Sequence, residues 1–275
     1  TLQMARWDAS IEDYRYYPHP YLGFVRRGEG YWLRFATAGQ LGLAGATLDE
    51  SASQYLVNLQ RGWNQIGNPF TKPIQWGRLR VVGEDEILTL TEAALRGWIR
   101  PTLYWWDPVV AAYQYPPGGT ADFELVPWEG YWVKAFRACQ LLFLREQLGR
   151  GPAEVSGRLL PEAGAGWSVR LSVAEEGGGS AYCLIGANER AANGWDALDL
   201  DCPPAVSGSP TLAVMHKDWG DNSGAYLRDL RGLGGAPQSW EIEYAARAPG
   251  VNAYLQWDDL RQVPRETRLV LEDLD

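Results

Sequence analysis

Two stretches of this chain repeat each other, so any fold it adopts must give both the same surroundings. WDASIEDYRYYP starts at Trp7 and WDPVVAAYQYPP at Trp106, with Trp, Asp, Tyr14/Tyr113 and Tyr16/Tyr115 matching 99 residues apart. EGYWLRFATAGQL from Glu29 then matches EGYWVKAFRACQL from Glu129 at a spacing of 100, through Glu, Gly, Tyr, Trp, Ala38/Ala138, Gln40/Gln140 and Leu41/Leu141. Identical residues at constant spacing carry identical packing demands. Units at 7–41 and 106–141 are therefore expected to place Tyr31-Trp32 and Tyr131-Trp132 on matching strands. A third element, GWNQIGNPF (Gly62–Phe70), lies between the copies. Its mate is expected before the first WD block, where the chain begins, so about one and a half units are present. The expectation is that the other half was cut away or is supplied by another chain, and that both ends are truncated.

The repeats read as short strands. YWLRF and YWVKAF follow Glu-Gly turns and are rich in aromatic and branched residues, as are LRVV (79–82) and Leu103–Trp106. One helix is expected over Leu90–Arg96, capped by Thr89 with Glu92 reaching back and stopped at Gly97, with Ala93, Ala94 and Leu95 partly packed on the sheet. The pattern breaks at Leu148–Pro152, which sets domains at 1–148 and 153–275. Beyond it, period two takes over: Trp167, Val169, Leu171 and Val173; Trp240, Ile242 and Tyr244; Leu255 and Trp257; Leu269 and Leu271. Alternation with polar partners marks half-buried antiparallel strands. The chain is thus expected to be all-β, with two tandem antiparallel domains. The first is the repeat domain with one short helix, and the second an immunoglobulin-like or jelly-roll-type β-sandwich.

Composition narrows the function. A net charge of −9 and a pI near 4.9 oppose nucleic acid or an anionic membrane surface as main partner. No apolar run approaches the ~20 residues that span a bilayer. With 2 His and no GxSxG or HExxH, His-based catalysis has little material. Acidic residues are too plentiful for a glycosidase pair to be singled out. The 14 Trp and 14 Tyr against 6 Phe favour residues with an apolar body and a polar tip, which suit seams and sugar-binding faces.

Each candidate site has a plainer alternative. Asp196, Asp199 and Asp201 in NERAANGWDALDLDCPP are candidate calcium ligands, or else turn residues bonding nearby amides. The loop Asp218–Gly224 is a candidate metal or sugar loop, or a plain hairpin. Cys183 and Cys202 are a candidate disulfide or two buried thiols, and Cys139 reads as core. His216 reads as a strand end and His19 as a loop residue. Among the aromatics, Trp32, Trp63 and Trp132 are assigned to the core, and Trp105, Trp106 and Trp128 to the surface as ligand or interface candidates.

GWNQIGNPF, then a short helix, then PWEGYWVKA resembles a module of large secreted bacterial surface proteins. GWSVRLSV, IGANERAANGWDALDLDCPP, LRDLRG, SWEIEY, LQWDDL and LVLEDL together resemble the region preceding the C-terminal sorting domain of such proteins. The resemblance implies extracellular all-β modules, often in multidomain chains, with adhesive, structural or unknown roles, and it carries over no catalytic residue. The expected function is a non-enzymatic structural or adhesive module that assembles with itself or with neighbouring domains, with a self-assembling fibre subunit as its furthest form. The alternative is a carbohydrate-binding accessory module of a secreted hydrolase, with polysaccharide as partner. No cofactor is expected beyond the calcium candidate.

Overall fold

The computed structural model describes residues 2–37, 42, 52–116, 123–148, 164–206, 208–234 and 237–274. The protein is all-β, with one α-helix among the described residues. It divides into two compact units, Thr1–Leu160 and Pro161–Asp275. Most of the expected break at Leu148–Pro152 lies outside the described residues, as do the matched positions Ala38, Gln40 and Leu41.

The first unit contains β1 (Leu2–Asp8), β2 (Asp13–Tyr16), β3 (Trp32–Phe35), β4 (Gln54–Leu59), β5 (Gly62–Gly67), β6 (Ile74–Gln75), β7 (Arg80–Val82), β8 (Ile87–Thr89), α1 (Leu90–Leu95), β9 (Trp105–Asp107), β10 (Ala112–Gln114), β11 (Glu124–Leu125), β12 (Gly130–Ala135) and β13 (Cys139–Leu144). They form short antiparallel groups: β2-β1-β3, β4-β13-β7-β8, β12-β5, β11-β6 and β10-β9. Strands β12 and β13 are covered on both faces. Tyr131, Trp132, Val133, Leu141 and Phe143 are all buried, in a core with Trp76, Leu79, Val81 and Ile99. The helix starts where expected. Thr89 N donates to Glu92 Oε2 (2.8 Å) and Glu92 N donates to Thr89 Oγ1 (3.2 Å), a reciprocal cap. So short a helix turns only one i, i+3 pair inward, Leu90 and Ala93. Leu95, expected on the sheet, is instead 84% exposed.

The second unit contains β14 (Gly166–Glu175), β15 (Ser180–Asn188), β16 (Leu200–Asp201), β17 (Thr211–His216), β18 (Gly224–Gly232), β19 (Ile242–Ala245) and β20 (Ala253–Trp257). They build one continuous sheet of β-sandwich type in the order β19-β17-β18-β15-β14-β20, with β16 against β18. The period-two face is in place: Val169, Leu171 and Val173 are buried with Cys183, Ile185, Leu212, Val214 and Tyr226. Two features depart from the expectation. Strands β15 and β18 pair in parallel, from Leu184↔Arg228 to Asn188↔Gly232. Leu269 and Leu271 lie outside every strand, 37% and 64% exposed, because their segment finds no sheet partner among the described residues.

Candidate functional site

The two WD blocks fold as equivalent hairpins. Trp7 pairs with Tyr14 across β1-β2, and Trp106 with Tyr113 across β9-β10. Each turn is held by its Asp: Asp8 Oδ1 accepts from Ser10 N (3.1 Å), and Asp107 Oδ1 accepts from Val109 N (2.8 Å). Each turn also holds a left-handed residue at the same position, Glu12 and Ala111, both at φ 51°. The EGYW blocks match just as closely. Tyr31 OH donates to Glu29 Oε2 (2.9 Å) and accepts from Arg26 N (2.9 Å). Tyr131 OH donates to Glu129 Oε2 (3.0 Å) and accepts from Val126 N (2.9 Å). Ala5 pairs with Trp32 as Tyr104 pairs with Trp132.

The halves hold each other by exchanging tryptophans. Trp7 of the first repeat packs edge-on against Trp132 of the second (5.7 Å, 73°). Trp106 of the second packs edge-on against Trp32 of the first (6.0 Å, 81°). Within the hairpins, Trp7–Tyr14 and Trp106–Tyr113 repeat one geometry, at 5.1 Å and 5.2 Å. Tyr14 hydrogen-bonds Tyr113 and accepts from Trp32 Nε1 (3.2 Å), so the two tyrosines meet at the pseudo-two-fold axis. Edge-to-face aromatic pairs each contribute ~0.5–1.5 kcal/mol beyond burial. Within the seam the polar tips of Trp32 and Tyr14 bond each other, whereas Trp7 Nε1 is buried without a hydrogen-bond partner.

Two positions break the symmetry. Arg6 lies over the rings of Tyr21 (4.8 Å) and Tyr31 (5.7 Å) and pairs with Glu29 (2.8 Å). Its counterpart Trp105 stacks on Phe123 (4.9 Å), which meets Tyr131 edge-on (5.7 Å). One half thus fills the slot with a cation over aromatics and the other with a ring. Trp105 and Trp106 point to opposite faces as neighbours on a strand must, and both are half-buried. Trp128 is 87% exposed, and no ring contact joins it to either of them. The three surface candidates therefore do not form one platform. Of the assigned core residues, Trp132 is buried, while Trp32 and Trp63 are half-buried in the seam.

In the second unit the aspartate loop is turn chemistry. Asp196 accepts from Ala192 N and from Leu198 N (2.6 Å). Asp199 accepts from Asp196 N (2.9 Å) and Leu230 N (3.1 Å). Among the described residues, no three His, Cys, Asp or Glu side chains are placed to hold a metal ion. Two of the three calcium candidates, Asp196 and Asp199, thus spend carboxylate oxygens on backbone amides, and Asp201 is buried beside them in sequence. Burial, with Asp196 and Asp229 nearby, pushes the Asp199 carboxyl up to about 7. Cys183 and Cys202 are both free in this structure, and Cys139 is free and buried. Burial pushes these thiols up to about 12, 12 and 11 respectively, well away from nucleophilic thiolates.

Sequence reasoning passed over the polar centre of this unit. His216 ends its strand as expected, but its Nε2 is 2.9 Å from Asp229 Oδ2, which also accepts from Arg231. Trp219, from the Asp218–Gly224 loop, stacks flat on the His216 ring (3.4 Å, 5°). The signal was an acid and a base alternating in LRDLRG on a strand otherwise facing the core. No family model, no curated protein and no solved structure matches the chain.

Proposed function

We propose that the chain is a non-catalytic structural or adhesive module of a secreted bacterial surface protein, acting by joining its sheet edges to neighbours. The observation that carries this reading is the edge at β20. Leu255 and Trp257 are in register with buried Val173 and Leu171 respectively, yet they stay 40% and 56% exposed. Glu176 N donates to Asn252 O and Asp258 N to Arg170 O, so the even-numbered residues bond β14. In an antiparallel pair the alternate residues then turn their backbone groups outward, here Ala253, Leu255 and Trp257. Beyond β20, Arg268–Leu274 carries four exposed apolar side chains and no strand pairing. An apolar open edge invites strand addition. The motif series described above supports an extracellular setting, and no helix of the described residues is long and apolar enough to cross a membrane.

Sedimentation velocity on a dilution series of the 275-residue chain tests the reading. Association that weakens on dilution, and that Leu255→Pro reduces, is expected, since this proline removes only an outward amide. A monomer at every concentration would overturn it. The isolated, exposed Trp128 favours a second reading, polysaccharide binding. In that case a polysaccharide panel would quench fluorescence, and Trp128→Ala would abolish the change.

A further inference from the structure

The pseudo-two-fold gives one half of the first unit a covering that the other half lacks. In the second repeat, β12 has β5 on its outer edge, with Tyr131↔Ile66, Val133↔Asn64 and Ala135↔Gly62 in register. Its inner edge takes Tyr104, which exchanges both backbone bonds with Trp132 (3.2 and 2.8 Å). In the first repeat, β3 takes β1 on the corresponding inner edge, with Ala5 opposite Trp32. Among the described residues no strand pairs with its outer edge. By the same alternation, Leu33 and Phe35 turn their amides and carbonyls to that open side.

The side chains tell the same story. Val133 and Ala135 are 0% and 1% exposed, whereas their counterparts Leu33 and Phe35 are 40% and 43% exposed. A further contrast lies at the rim. Gly28 (φ 73°) lies under β4, close enough that a Cβ there would collide with Val57. Its counterpart Trp128 has nearly the same left-handed backbone (φ 71°) and is 87% exposed. The pair β4-β5 therefore covers both β12 and Gly28, and both symmetry-related places lack such a pair among the described residues.

We infer that the outer edge of β3, with Trp128 at its rim, is a docking site for a separate β-hairpin of the β4-β5 type, bearing a GWN-like strand. The chain's own hairpin is the template for the ligand. The incoming strand pairs with Leu33 and Phe35, and its apolar face covers their side chains. Trp128 lies where the preceding strand of the hairpin would pass, so the bulky ring packs on that strand where Gly28 leaves room for Val57. The occupant is a hairpin from outside this chain's folded first unit, because Gln54–Gly67 is already engaged on β12.

The inference deepens the assembly reading by naming one surface and its partner. It is tested on the full chain carrying an additional copy of Gln54–Phe70, joined to Thr1 by a flexible Gly/Ser linker, which raises the local concentration to the millimolar range. Hydrogen exchange is expected to slow at the Leu33 and Phe35 amides relative to the unfused chain, and Trp128 to become resistant to oxidation. Leu33→Pro in the fusion, which removes an outward amide without touching the β1 pairing, is expected to restore fast exchange at Phe35 and oxidation of Trp128. Unchanged exchange and oxidation in the fusion would overturn the inference, as would protection that survives Leu33→Pro. Self-association of the unfused chain is scored separately. If it persists while the fusion stays unprotected, the assembly reading stands and this inference alone fails.

Discussion

Gly28 and Trp128 occupy one backbone conformation in two halves of one fold, so exchanging their character should act in opposite directions. At φ 71° a side chain costs roughly 1–2 kcal/mol over a right-handed or extended conformation. Trp128 is 87% exposed, so its ring returns little packing energy in the isolated chain. Trp128→Gly is therefore expected to stabilise the first unit by about 1 kcal/mol, once the greater freedom of glycine in the unfolded chain is counted. Gly28→Ala meets the same backbone penalty and in addition drives a Cβ into Val57, which is 5% exposed and cannot withdraw to solvent. Overpacking adds roughly 1–3 kcal/mol, so a loss of about 2–4 kcal/mol is expected. Denaturant melts of the full chain, fitted for two separately unfolding units, read both changes in the first transition. A Trp128→Gly variant less stable than the parent would refute the reasoning, because the ring would then be packing on its own unit and not waiting for a partner.

Three further outcomes are expected. Asp199 holds its proton up to about pH 7 in the folded protein against an ordinary 3.8, so the native state binds a proton that the unfolded chain has released. Stability should then fall as pH rises from about 4 to about 7, by up to a few kcal/mol, and Asp199→Asn should flatten that slope in melts across this range. Glu175, its side chain fully buried, accepts from Tyr244 OH (2.6 Å) and Arg247 N (3.0 Å) and pairs with Arg247 Nε (3.1 Å). Glu175→Gln should lower the second transition by about 1–3 kcal/mol, and an unchanged midpoint would show that this clamp is idle. A panel of glycosidase, esterase and peptidase substrates should give background rates, and turnover lost on substituting a single Asp or Glu would contradict the non-catalytic reading.

Much of the first unit was legible because its information is local or repeated. Constant spacing makes Trp32 and Trp132 equivalent, and they do sit opposite the equivalent residues Ala5 and Tyr104, while Thr89 with Glu92 specifies a helix start. The crossing of the halves was not legible. Constant spacing says that Trp32 and Trp132 are equivalent, but not that each packs against the other repeat's Trp. Arg6 and Trp105 share no chemistry in the sequence, and only the slot between two aromatic rings relates them. In the second unit, period two assigns Val169 and Leu171 to a face but is silent on strand partners, so the parallel β15-β18 pairing could not be read. Leu269 and Leu271 alternate as a strand does, yet a strand also needs an edge to join. The carboxylates of Asp196 and Asp199 have the composition of a calcium loop. Their composition does not say that their oxygens are taken up by backbone amides, one as distant in sequence as Leu230.

The central claim is that two equivalent halves lock together by exchanging tryptophans. Ring-to-ring nuclear Overhauser contacts in the Trp-labelled 275-residue chain test it most directly. Contacts are expected for Trp7 with Trp132 and for Trp106 with Trp32, at centroid separations of 5.7 and 6.0 Å. Contacts confined to each repeat, Trp7 with Trp32 and Trp106 with Trp132, would contradict it.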